Sequence, residues 1–172
     1  MNLAPWLPKT LPLIQRVIVE NALRCIGALE EPLGSNRGAE IDKWNLRAGV
    51  PVGSYWCASW AGAMWQDAGA EVPKGYASCD AWLFWSRQTN RYTSHTAAPG
   101  CAVLYGKGSD ARHIGLIIRT MPLVLAVEAN TTVEGAAFER NGTAVALKVV
   151  NERDPVLGFV HPLPLPPLRA AA

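Results

Sequence analysis

The residue best suited to do chemistry in this chain is a cysteine at the head of an apolar segment. Cys57 stands in GSYWCASWAGAMWQDAG, residues 53–69, between Trp56 and Trp60. A sulfur in the first turn of a helix faces unpaired backbone N–H groups and the positive end of the helix dipole. Both favour the thiolate, which is the nucleophilic form. The same residue begins an apolar face of Cys57, Ala61, Met64, Trp65 and Ala68 at helical spacing, and free cysteine is among the most buried residue types. Taken alone, Cys57 fits packing as well as catalysis.

A thiolate nucleophile needs a base, normally a histidine brought close by folding. His95 lies in the polar loop TSHTAAPG, His161 precedes a proline-dense end, and His113 opens the strand-like HIGLIIR. Strand alternation puts His113, Gly115 and Ile117 on one face and Ile114, Leu116 and Ile118 on the other. Gly115 leaves open space beside the histidine. In LVLAVEANT, Glu128 and Asn130 interrupt an apolar run two residues apart, so alternation gives them a common face. Polar groups on a buried strand need hydrogen-bond partners. A carboxylate on the far ring nitrogen of a histidine fixes its tautomer and stabilises the imidazolium. The connection between 113–119 and 123–130 is short, which predicts antiparallel pairing and brings His113 near Glu128 and Asn130.

The elements that must position these groups divide the chain in two. The first half reads helical. Ile14, Val17, Ala22, Leu23, Ile26 and Leu29 recur at helical spacing up to a turn at residues 31–34. A short helix is expected over 39–46, and another from Cys57 to a C-cap at Gly69. Ser78 is placed to cap a fourth helix carrying Trp82, Leu83 and Trp85. The second half reads β, with short apolar runs at 101–105, 113–119, 123–130, 144–150 and 157–161 separated by turn residues. Helices followed by an antiparallel meander predict an α+β fold, helices packed on one side of a sheet of about five strands. With 172 residues one domain is expected, over 13–161, with an extension at 1–12 and a proline-rich tail at 162–172.

Composition narrows the function. Apolar residues are 49% and charged ones 17%, with net charge +2, a globular composition with no Lys/Arg run, which argues against a nucleic-acid partner. No stretch is apolar enough for a membrane span. The first twelve residues contain Pro5, Pro8 and Pro12 and do not form a secretory signal. The four cysteines, Cys25, Cys57, Cys79 and Cys101, have no metal-like spacing. All four are expected to be thiols; with Cys57 free, at most one disulfide can form among the others. No metal or cofactor is expected, and the chain is expected to be a monomer. Among seven tryptophans, Trp60, Trp65, Trp82 and Trp85 read as core, and Trp6, Trp44 and Trp56 as candidates for a surface.

In order along the chain, GALEEPLGSNRGAEIDKWN, WCASW at a helix start, APGCAVLY, then HIGLII and EAN on successive strands resemble the cysteine- and histidine-dependent amidohydrolases/peptidases of the CHAP family, which have a papain-like core. The resemblance runs over most of 15–160. It implies Cys57 as nucleophile, His113 as base and then acid, Glu128 as the orienting carboxylate and Asn130 as an auxiliary polar residue. Tyr55, Trp56 and Arg112 would flank the cleft and bind substrate. Two departures stand out: Cys101 follows Gly100 where the family often has aspartate, and Arg112 precedes the histidine where it often has glycine. Some members bind calcium just before the nucleophile, but NLRAGVPVGSYW has no acidic residue, so none is expected here. Family members cut amide bonds in peptidoglycan, which implies an N-acetylmuramoyl-L-alanine amidase or an endopeptidase. Such an enzyme would be made in the bacterial cytoplasm and reach the wall through phage-encoded pores or a secretion apparatus. A secreted antibacterial effector or thiol acyltransferase on the same fold, and a non-catalytic protein with Cys57 as packing, are the alternatives.

Overall fold

The change in apolar period along the chain is reproduced in three dimensions. The computed structural model describes residues 7–133, 141–150 and 155–166. Four helices come first: α1 (Leu13–Arg24), α2 (Ala39–Arg47), α3 (Cys57–Asp67) and α4 (Cys79–Gln88). The strands follow: β1 (Tyr92–Thr93), β2 (Ala102–Lys107), β3 (Asp110–Arg119), β4 (Leu125–Thr131), β5 (Ala144–Val149) and β6 (Val156–Val160). The fold is α+β, with one antiparallel sheet in the order β1-β6-β2-β3-β4-β5. The sixth strand is β1, whose two residues pair with β6 and are too few to show an alternating pattern.

The first helix is shorter than its apolar spacing predicts. It ends at Arg24, and Gly27 follows with φ 89°. Residues beyond it run along β5 instead: the Gly27 N–H bonds the Val145 carbonyl and the Val145 N–H bonds the Ala28 carbonyl. Ile26 and Leu29 are 42% and 55% exposed, so their helical spacing marked no buried face. Ser78 occupies the N-cap of α4, but its hydroxyl makes no capping bond.

Alternation along the strands separates two apolar layers. Ala102, Leu104, Ile114, Leu116, Ile118, Val127 and Ala129 pack with Ile18 and Val19 of α1, Trp60, Met64 and Trp65 of α3, and Trp82 and Leu83 of α4. The opposite face carries Val103, Tyr105, Ile117, Ala126 and Phe159. Helix α3 is buried from Cys57 through Trp65 on every side, as an all-apolar helix at the centre of a core must be. Trp65 and Trp82 meet edge to face at 4.8 Å between ring centroids, an arrangement that adds about 0.5–1.5 kcal/mol to their area burial. Gly62 permits the tightest contact on α3, since a Cβ there would fall 2.1 Å from the Tyr76 ring.

Packing and hydrogen bonding extend past both ends of 13–161. Leu7 is 5% exposed and belongs to the main core, with Leu11 packed against it. The first part of the tail is also held: the Leu165 N–H donates to the Asn90 carbonyl at 2.8 Å, and Asn90 Nδ2 donates to the Leu165 carbonyl at 2.9 Å. Trp6 and the rest of the tail lie outside the described residues. Among the described residues no helix is long and apolar enough to cross a membrane.

Candidate active site

The sheet supplies the polar half of the site. His113 in β3 stands opposite Tyr105 in β2, and Gly115 stands opposite Glu128 in β4. His113 Nε2 lies 3.0 Å from Glu128 Oε2, and the Tyr105 hydroxyl donates to Glu128 Oε1 at 2.7 Å. All three side chains are fully buried. A Cβ at position 115 would lie 2.7 Å from Glu128 Cγ. The missing side chain is therefore what lets Glu128 cross diagonally between strands, and the open space expected beside His113 is filled by the carboxylate.

Helix α3 carries the candidate nucleophile, Cys57. Cys57 is its first residue, and the preceding Trp56 provides no side-chain cap. The first-turn N–H groups thus have no capping side chain and keep their positive potential for an anion nearby. The Cys57 sulfur lies 4.0 Å from that of Cys79, the first residue of α4. The next residue, Asp80, accepts the Ala111 N–H at 2.7 Å and ties the start of α4 to β3.

These contacts set the proton affinities. The facing Cys79 thiol is the largest influence on Cys57; burial opposes it, and His113 and the Ile114 N–H add to it, so the Cys57 thiol is lowered well below its ordinary range. Burial is the strongest influence on His113 and pushes it down. Hydrogen bonding and charge from Cys57 and Glu128 together outweigh it and raise the imidazole to about 10. The directions describe a thiolate–imidazolium pair. Nε2 is committed to Glu128. Nδ1 is buried and is the ring atom left for the interaction with the Cys57 sulfur, a contact that often tightens only with substrate bound. The other shifted thiols go the opposite way: burial raises Cys25, and raises Cys101 to about 12.

The remaining candidates separate. Asn130 adopts φ 56° in an irregularity of the β4–β5 ladder between Ala129 and Thr131, so period-two alternation breaks at this residue. It is fully buried, and neither amide atom has a hydrogen-bond partner among the described residues; it does not bond His113. Trp56 is a core residue, fully buried, stacked on Trp44 at 5.8 Å and donating its indole N–H to Glu30 Oε1 at 2.9 Å. Trp44 is itself buried, so neither offers a surface. Tyr55, 48% exposed, and Arg112, ion-paired with Asp110 at 2.6 Å, do line the cleft with Cys57, Cys79 and Asp80. His95 is exposed, and His161 lies between Cys101 Sγ at 3.2 Å and the Thr96 carbonyl at 3.1 Å; neither joins the site. Sequence reasoning missed Tyr105 and Cys79. Tyr105 closes an apolar run on the face of Val103, and a buried tyrosine hydroxyl calls for a partner; that was its available signal. Cys79 had none.

The cleft above Cys57 encloses 180 Å³. A larger hollow of 450 Å³ beside Leu7, Pro99 and Met121 is lined by no cysteine or histidine, so chemistry and not size selects the site. Among the described residues no group of three or more His, Cys, Asp and Glu side chains is placed to hold a metal ion. The all-thiol state of the four cysteines leaves Cys57 reduced and able to react. No family model, no curated protein and no solved structure matches the chain.

Proposed function

We propose that the chain is a cysteine-dependent amidohydrolase of the papain-like, CHAP type that cleaves amide bonds of the cell-wall peptide in peptidoglycan. The observation that carries the chemistry is the convergence of Cys57, His113 and Glu128 from α3, β3 and β4 beside an open cleft. The substrate class rests on the residues that resemble that family.

In this reading the Cys57 thiolate attacks the scissile carbonyl carbon and forms a tetrahedral oxyanion. Backbone N–H groups in the first turn of α3 point their positive potential at the developing charge. His113 gives its proton to the leaving amine as the C–N bond breaks, leaving a thioester on Cys57. The neutral imidazole then takes a proton from water, which attacks the thioester and returns the thiolate. Glu128 holds the ring in place and stabilises it when charged, and Tyr105 holds Glu128. Tyr55 and the Asp110–Arg112 pair form the walls that meet the peptide.

Mass spectrometry of fragments from purified peptidoglycan tests this directly. Wild type is expected to free new amines. Amines on L-alanine identify an amidase, and amines within the stem or cross-bridge identify an endopeptidase. Cys57→Ala is expected to lower release by about 10,000-fold. No release by wild type, or equal release by the variant, overturns the reading.

A further inference from the structure

The mechanism leaves one nucleophilic group in the cleft without a step of its own. Cys79 is 8% exposed and Cys57 6%, and their sulfurs face each other at 4.0 Å across the starts of two different helices. Both line the same cleft, so a small solute that reaches one sulfur has reached the other. A disulfide is about 2.05 Å long, so closing the pair takes about 2 Å. Side-chain rotation with a small shift of a helix start can supply that. The anchor from Asp80 to the Ala111 N–H keeps Cys79 at this edge of the cleft.

We infer that Cys79 is a resolving thiol for Cys57: when a peroxide oxidises the nucleophile, Cys79 captures it as a Cys57–Cys79 disulfide, closing the site reversibly and sparing the sulfur further oxidation. The Cys57 thiolate attacks one peroxide oxygen and the O–O bond breaks. Sulfur is oxidised to the sulfenic acid, and the peroxide is reduced and leaves as hydroxide or alkoxide. The Cys79 sulfur then attacks the sulfenic sulfur and an S–S bond forms. The departing hydroxide takes the Cys79 proton away as water. A dithiol reduces this bond by exchange, returning both cysteines as thiols while it becomes a disulfide itself. Oxidation follows thiolate character and access; Cys101 is fully buried, and the thiols of both Cys25 and Cys101 are raised by burial, away from the thiolate. The loss of activity in this scheme rests on Cys57 being the nucleophile of the proposed hydrolase; formation of the bond does not.

Trypsin places the four cysteines on separate peptides, 25–37, 48–74, 75–87 and 92–107, so the partner of each can be read. The full chain is treated with hydrogen peroxide, its remaining thiols are alkylated, and the digest is mapped without reduction. The expected product is 48–74 joined to 75–87, two hydrogens lighter than the sum of the two peptides. Dithiothreitol is expected to separate them, and hydrolysis of peptidoglycan to fall and return in step. In Cys79→Ser the same treatment is expected to drive Cys57 to the sulfinic acid, with a loss of activity that dithiothreitol does not reverse. Wild-type Cys57 found as sulfinic acid beside alkylated Cys79, or linked to Cys25 or Cys101, overturns the inference. A Cys57–Cys79 link in a chain that never cleaves peptidoglycan would uphold it while removing the proposed function.

Discussion

Two buried glutamates close to Cys57 are built alike and do different work. Glu30 is 4% exposed and accepts the Trp56 indole N–H at 2.9 Å and the Asn36 backbone N–H at 3.0 Å. Glu128 is fully buried and accepts the Tyr105 hydroxyl at 2.7 Å, with His113 at 3.0 Å. Each carboxylate has both oxygens engaged and one aromatic donor. The difference lies in the other partner. Around Glu30 both donors keep their protons, so the carboxylate can only hold the segment before α2 against the residue preceding Cys57. Around Glu128 one partner is an imidazole that also faces Cys57, so in the proposed mechanism the same arrangement governs a proton. Burial and complete hydrogen bonding mark a structural residue as readily as a functional one; the titration of the partner distinguishes them.

The comparison is broken most forcefully by Glu128→Gln. Gln keeps the size but loses the charge that helps raise His113, and kcat is expected to fall by about 100- to 10,000-fold, followed by peptide release from peptidoglycan. In the proposed mechanism the imidazolium is the acid, so activity is expected to be lost as pH rises through the His113 value, about 10 in the wild type. Without the Glu128 charge that alkaline limb of kcat/KM moves to lower pH. An unmoved limb would separate Glu128 from the proton transfer.

Tyr105→Phe is the subtler cut. It removes a hydrogen bond to a charged group, worth about 1.5–3 kcal/mol, while leaving the ring beside His113. A fall in kcat of about tenfold is expected as Glu128 loses the bond that fixes it against His113, with the alkaline limb moved less far than by Glu128→Gln. A Tm change without any shift of that limb would reduce Tyr105 to packing.

Glu30→Gln sharpens the comparison from the other side. It sets an amide N–H against one of two buried donors and is expected to cost about 1–3 kcal/mol of stability, read from urea unfolding. Activity per folded molecule and the pH profile are expected to stay as in the wild type. A shifted alkaline limb would show that the two glutamates are not separable in this way.

Much of this was readable in the chain. The start of α3 at Cys57 and the α+β order follow from apolar period and turn residues. The antiparallel β3–β4 pairing follows from the brevity of their connection. Where reading failed, a contact distant in sequence replaced the local pattern. Ile26 and Leu29 have helical spacing, but the chain there pairs with β5. Trp56 has the look of a cleft-side aromatic, but Glu30 and Trp44 hold it inside. Asn130 shares the parity of Glu128, but its positive φ breaks the alternation on which the common face depended.

The sequence by itself determined the residue types that can do the chemistry, the elements that carry them and their order, because these depend on periodicity and on contacts a few residues apart. Only the tertiary structure decided that Glu128 alone of the polar pair reaches His113, through space Gly115 leaves empty. The hydroxyl of Tyr105 on that carboxylate and the sulfur of Cys79 facing Cys57 were decided there too. The physical reason is the same in each case: hydrogen bonds and thiol contacts act over a few ångströms, and residues 15 to 23 positions apart come within that range only once helices and strands have packed.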